Sequence, residues 1–218
     1  MSNILITSGP TRQYLDPVRY LTNASSGRMG AALAEAALER GHAVTIISGP
    51  VSVDYPAAAR LIAVDTTDQM LAAVLEQFPS HDGLIGAAAP CDYMPRRVSS
   101  EKIAKDGRPL TLELVETPDI VATAAQRKRP DQWVVGFALV TEDQRLPALV
   151  KMERKCCNLM VSNGPGAINA TTNDVEIIAA DGTTIALASG SKRQVADAIL
   201  QAVEPLIHSA LAVKATSL

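Results

Sequence analysis

The chain has 218 residues, a net charge of −3 and 47% hydrophobic against 20% charged residues, the balance of one domain with a sizeable core. Only 3% of the residues are aromatic, which argues against a stacking platform for single-stranded nucleic acid, and the slightly acidic balance argues against a general duplex binder. No apolar run approaches the roughly 18 residues of a membrane span, so neither nucleic acid nor membrane is an expected partner.

Met1-Ser2-Asn3 carries no basic leader, and Cys91, Cys156 and Cys157 show no metal spacing; both fit a cytoplasmic setting. Ile4–Ser8 reads as a buried parallel strand, and Gly27–Arg40 as an amphipathic helix ended by Gly41. Ala43–Ser48 is a second buried strand, residues 60–65 a third, and Thr67–Phe78 a helix capped by Thr66 or Thr67. Gly83–Ala89 is a strand again. The order β-α-β-β-α-β predicts an α/β, Rossmann-like doubly wound sheet, mostly parallel and flanked by helices. Residues 95–109 carry Arg96, Arg97, Lys102, Lys105 and Arg108 with no buried period, and read as a mobile flap loop. Residues 110–115 alternate as a strand, Pro118–Arg127 reads as a helix, Trp133–Ala138 as a strand and Leu146–Cys157 as a helix. Leu159–Ser162 follows as a strand and residues 164–172 as a loop. Val175–Ala179 and Thr184–Ala188 flank Asp181-Gly182, a hairpin signal, and Ser191 caps a final helix. The whole of 1–218 reads as a single domain, with 214–218 a disordered tail.

A nicotinamide enzyme on this sheet would carry G-x-G-x-x-G after the first strand and an acid at the end of the second. Here Gly9 is followed by no glycine until Gly27, and Ser48-Gly49-Pro50 closes the second strand. The intervening residues 10–24 are far longer than the usual 2–6 of a βα connection, and long loops at this sheet edge build binding sites. Ser25, Ser26 and Gly27 open a helix and suit a phosphate or carboxylate, although plain capping is the blander reading. Arg19 could fork onto an anion and the Asn23 amide could hold an oxyanion. Ala87 and Ala88 leave room for a planar ring, and Asp92 could bind nucleotide or metal. Lys102 and Lys105, with Lys151 and Lys155 one helical turn apart, are solvated charges or the counter-charge of an anionic ligand. Cys91 is weighed as a nucleophile against the commoner buried, inert thiol. With no Walker motif present, two phosphate-friendly loops and two lysine segments suggest a nucleoside triphosphate held without one.

The run Thr7-Ser8-Gly9-Pro10-Thr11 through Asp16-Pro17-Val18-Arg19-Tyr20-Leu21-Thr22-Asn23-Ala24-Ser25-Ser26-Gly27-Arg28-Met29-Gly30 closely resembles the phosphopantothenate–cysteine ligase (phosphopantothenoylcysteine synthetase) family. Weaker features follow in family order: Asp92-Tyr93, Lys102-Ile103 with Lys105, Thr117-Pro118-Asp119-Ile120, Gly136-Phe137-Ala138, Lys151 with Lys155, and Asn163. The chain departs from the family at Pro90-Cys91, at Ala104, at Leu139-Val140-Thr141-Glu142 and at Asn158. The resemblance implies a bacterial-type ligase that joins cysteine to 4′-phosphopantothenate through an acyl-cytidylate made from CTP with Mg2+, releasing pyrophosphate and then CMP. It implies Lys102 for the first half-reaction, and Arg19 and Asn23 for the acyl intermediate and the second, with Ala88 beside the substrate. Ala87, Ala88, Pro118, Ile120 and Phe137 would form the base pocket. Ser8, Gly9, Ser25, Ser26, Gly27, Asp92, Lys102, Lys151 and Lys155 would bind the nucleotide. A homodimer, a free-standing ligase and no flavin are the remaining expectations.

Overall fold

Ile4, Leu5, Ile6, Ile46 and Ile47 are completely buried, because a short apolar run with no polar face is stable only at the centre of a sheet covered on both sides. The computed structural model describes residues 1–139, 150, 152–164 and 170–216. Its strands are β1 (Asn3–Ser8), β2 (Arg12–Tyr14), β3 (Tyr20–Thr22), β4 (Ala43–Ser48), β5 (Arg60–Ala63), β6 (Gly83–Gly86), β7 (Tyr93–Pro95), β8 (Leu114–Glu116), β9 (Trp133–Leu139), β10 (Leu159–Asn163), β11 (Thr172–Ala179) and β12 (Thr184–Ser191). Eight of them form one sheet in the order β12-β11-β10-β9-β6-β1-β4-β5. Every pairing from β10 to β5 is parallel, and β11 and β12 join antiparallel as the expected hairpin.

Side chains alternate across β1, so Ile4 and Ile6 face one core and Leu5 the other. Helices α1 (Arg28–Glu39) and α5 (Lys192–Thr216) cover the first face, and α2 (Thr67–Gln77) and α3 (Ile120–Ala125) the second. A helical segment, α4, comprises residues 150 and 152–155 among those described, and its Met152 packs in the second core. The helix boundaries follow local chemistry. Thr66 and Gln69 form a capping box at α2, Gly41 N–H reaches Leu38 O beyond α1, and Ser191 Oγ accepts from Gln194 N–H at α5.

Several expectations are corrected. The insertion 10–24 contains a small antiparallel ribbon, β2 with β3, held by Arg12 over the Tyr20 ring and by the Tyr14–Tyr20 edge contact. The strand expected over 110–115 is the shorter β8, because its partner β7 has only three residues. The loop between them is therefore 96–113, longer than the expected flap. The strand expected over Gly83–Ala89 stops at Gly86. Pro118 lies outside α3, where Asp119 Oδ1 accepts from Ala122 N–H and caps a helix that starts at Ile120, two residues later than expected. Residues 214–216, expected in a disordered tail, continue α5, as a run with no Gly or Pro permits. Among the described residues no helix is long and apolar enough to cross a membrane.

Candidate functional site

β1 and β6 are neighbours, but the chain builds outward from them in opposite directions, through β4 and β5 on one side and β9 and β10 on the other. The loops that follow them diverge and leave a crevice at the carboxyl edge, the usual ligand position in open α/β sheets. A bridge between Pro10 and Ala89, with Ala89 N–H on Gly9 O at 2.9 Å, ties the two loops at their base.

Two adjoining cavities of about 580 and 500 Å³ occupy the crevice. Residues 23–30 at the start of α1 line the first, together with Ala87, Ala88, Ala89, Pro90 and Asp92 after β6, and Phe137 at the end of β9. The second is walled by Ala88, Thr117, Pro118, Ile120 and Phe137. Asp92, Asp119 and Lys155 border both. The segment Asn23–Gly27, the small residues Ala87 and Ala88, and the Pro118, Ile120 and Phe137 set thus converge on the crevice.

The start of α1 is built for an anion. Its N-cap is Gly27 at φ 75°, with no side-chain cap on the first N–H groups, so these donors and the positive end of the helix face the first cavity unshielded by a capping oxygen. Gly27 O accepts from Ser8 Oγ at 3.2 Å, and Ser8 accepts from Tyr55 at 2.9 Å. Ser8, fully buried, supports the loop from beneath and lines neither cavity. Gly9 does not line them either: its left-handed turn at φ 73° and its bond to Ala89 fix the base of the crevice.

Asn23 Nδ2 donates to Pro90 O at 2.8 Å and Ala89 O at 3.3 Å. Two carbonyl acceptors settle the amide's orientation and leave Oδ1 as the group not engaged by them. In this arrangement Asn23 offers an acceptor; holding an oxyanion would require Nδ2 to leave both carbonyls. Arg19 also departs from expectation. Its guanidinium forks onto Asp16 and donates to Ile103 O at 2.7 Å, so it points at the 96–113 loop and borders neither cavity. Lys102, beside Ile103, is exposed and likewise outside both.

Lys155 Nζ pairs with Asp119 Oδ2 at 3.1 Å, and Arg154 lies 3.9 Å from the same oxygen. Lys151 lies outside the described residues. Cys91 is buried and donates to Thr11 O; burial pushes its thiol up, away from the reactive thiolate. Asn158, where the resemblance expects aspartate, accepts from Val134 N–H and Lys128 Nζ, so a neutral amide satisfies both donors.

Residues the sequence reading did not assign to the site complete the first cavity: Arg28, Asp119, Arg154, Asn173 and Lys192. Asn173 is 5% exposed, and its Oδ1 has no partner among the described residues. The Lys192 ammonium is pushed down by burial and by the Arg28 charge nearby. Asn163, which the resemblance named, lines the first cavity from the end of β10; Asn173 and Lys192 arrive only when the hairpin folds back beside β10. Among the described residues no group of three or more His, Cys, Asp or Glu could hold a metal ion.

Comparison with known proteins agrees with this architecture. The C-terminal domain of the coenzyme A biosynthesis bifunctional protein CoaBC has a crystal structure that superposes with a TM-score of 0.82 at 34% identity, over 95% of this chain and 96% of that one. A variant of Cab2 in complex with phosphopantothenate-cysteine gives 0.81 at 16% identity, over 98% of this chain and 88% of that one, a likeness of fold. The CoaBC protein of Vibrio parahaemolyticus is 40% identical over 212 residues, 94% of this chain and 53% of its own length. That of Bacillus subtilis is 41% identical over 209 residues, 94% of this chain and 51% of its own length. The chain thus spans about half the length of the curated relatives it matches. Residues 1–206 match the family described as DNA/pantothenate metabolism flavoprotein C-terminal domain, and the chain belongs to that family.

Proposed function

We propose that this chain is a phosphopantothenate–cysteine ligase that draws on CTP. The reading rests on one observation above all. An uncapped helix N-terminus, Asn23 and a pocket of backbone and small residues meet at the β1/β6 switch point in a chain of this family. The first cavity suits the triphosphate, held by the N–H groups after Gly27 with Ser25, Ser26 and Arg28 alongside. The second suits a pyrimidine among Ala88, Pro118, Ile120 and Phe137. A base read mainly by backbone needs no long recognition side chain, which is consistent with small residues there.

The reaction would run in two displacements. A carboxylate oxygen of 4′-phosphopantothenate attacks the α-phosphorus of CTP and expels pyrophosphate. The amine of cysteine then attacks the acyl carbon and expels CMP. Lys102, on its exposed loop, would neutralise the charge that develops on the leaving pyrophosphate once the loop lies over the crevice. Asn23, offering Oδ1 as an acceptor, would orient the amine of cysteine. Magnesium, when bound, supplies neutralisation of the phosphate charge. The described residues offer it Asp92 rather than a closed protein cage, which fits an ion carried in with the triphosphate. A homodimer would cover the exposed Val18, Tyr20, Tyr93 and Leu114 on the two small ribbons.

Pyrophosphate release tests the proposal, run with 4′-phosphopantothenate and Mg2+, with CTP or ATP, each with and without cysteine. Release with CTP that turns over only with cysteine is expected; silence in every arm from folded protein would overturn it. Asn23→Ala should still form pyrophosphate while product falls by about 10²-fold, and Lys102→Gln should suppress pyrophosphate itself. Full product formation by either variant would remove the assigned role.

A further inference from the structure

Asp16 is fully buried, although it is ionisable and lies in a surface turn. Oδ1 accepts from Val18 N–H at 2.8 Å and Arg19 N–H at 2.9 Å, which folds the turn 15–19 over its own side chain. Oδ2 accepts from Arg19 Nε at 2.9 Å and Nη2, and from Ile103 N–H at 3.1 Å. The same Arg19 Nη2 donates to Ile103 O at 2.7 Å. Both backbone polar groups of Ile103 are therefore gripped by one ion pair from a distant turn, its carboxylate buried and its guanidinium partly exposed.

The grip matters because little else holds that segment. Residues 96–113 have no regular structure. Arg96 N–H on Glu113 O closes the base of the ribbon. Beyond that base, among the hydrogen bonds of the described residues, the loop meets the rest of the protein at Ser99, whose N–H reaches Leu15 O, and at Ile103. Both anchors belong to the turn 15–19. The residue immediately before the second anchor is Lys102.

We propose that Asp16 is a positioning residue: through Ile103 it fixes where the loop carries Lys102, with Arg19 as its second arm. This rests on the ligase reading for its kinetic consequence, but not for its structural content. The carboxylate accepts five hydrogen bonds and is held well below the usual carboxylate range, chiefly by Arg19, so the clasp stays charged at every pH the protein would meet in use. Asp16→Asn isolates it. The amide oxygen can still fold the turn from the Oδ1 position, while an NH2 group in place of Oδ2 confronts the donors of Ile103 and Arg19.

Hydrogen exchange and half-reaction kinetics together test the proposal. In Asp16→Asn, exchange over 99–105 should accelerate about tenfold or more while the sheet amides keep their protection. The kcat for pyrophosphate formation should fall by about 10²-fold, with the KM for CTP changing far less. The double variant Asp16→Asn with Lys102→Gln should be no slower than Lys102→Gln alone, since a displaced lysine and a missing one cost the same step. Losses that multiply, or unchanged exchange over 99–105, would overturn the proposal. Should Asp16→Asn fail to fold, Arg19→Lys keeps the charge but cannot fork to both Asp16 and Ile103 O, and the same exchange readout decides. Wild-type protein silent in the pyrophosphate assay would overturn the ligase reading while exchange still decides the clasp.

Discussion

A methyl group at Gly30 would lie 2.1 Å from Ser8 Oγ and 2.5 Å from Ser8 Cβ. Alanine raises helix propensity by about 1 kcal/mol over glycine, so on local grounds Gly30→Ala should stabilise α1. Contact wins here, because Ser8 is fully buried and its hydroxyl is already committed to Gly27 O and Tyr55. Gly30→Ala is expected to cost about 1–3 kcal/mol and to weaken nucleotide binding, since the displaced element is the start of α1; urea unfolding and a CTP titration check the two halves. The motif around Asn23 and Gly27 was legible in the sequence because its parts are near neighbours in the chain and meet in one loop. Arg19 was not: its partner Ile103 is 84 residues away, and no local pattern says that an arginine four residues before Asn23 turns from the cavity to a loop. The burial of Ser8 was not legible for a related reason, because position at a strand end says nothing about whether a hydroxyl faces the crevice or the helix packed beneath it.

Elements longer than five residues could be read from their periodicity, and their ends from capping chemistry. β1 and β4 declare themselves by unbroken apolar runs, and α2 by Thr66 and Gln69. Thr66 Oγ1 accepts from Gln69 N–H while Gln69 Oε1 accepts from Thr66 N–H. Thr66→Ala should therefore lower stability by about 1 kcal/mol and leave pyrophosphate formation unchanged, because no residue of α2 lines either cavity; a loss of activity matching the loss of stability would contradict that separation. Of the three-residue strands, β2, β3 and β7 escaped the sequence reading, and β8 was expected over 110–115 rather than Leu114–Glu116. β2, β3, β7 and β8 are too short for an alternation to show, and each exists only because its ribbon partner is present. These ribbons are what the site needs most from the fold, since they carry the turn 15–19 and the loop that bears Lys102.

Across the whole molecule, the pH dependence of stability separates the histidines from the carboxylates. His81 is 7% exposed; Nδ1 donates to Gln77 O at 2.7 Å and Nε2 accepts from Thr45 Oγ1 at 2.9 Å, an arrangement that suits the neutral ring. His42 Nδ1 accepts from Ser2 N–H. Burial pushes both imidazoles below the ordinary value of 6.5. A folded-state pKa below the unfolded one means that the unfolded chain takes up protons first, so stability is constant above about pH 7 and falls as the pH drops through about 6.5. The loss cannot exceed about 1.4 kcal/mol per pH unit for each histidine. Asp16, Glu39 and Asp197 are likewise held below their ordinary values of 3.8 to 4.5, so their stabilisation is intact through this window and fails only in stronger acid. Calorimetry from pH 8 to 5 should show a melting temperature that is level at first and then declines. His81→Gln should flatten part of that decline and leave the remainder to His42. A melting temperature that rises on acidification from pH 7 would mean that an imidazolium is favoured in the fold, which the Thr45 and Ser2 donors to these rings do not allow.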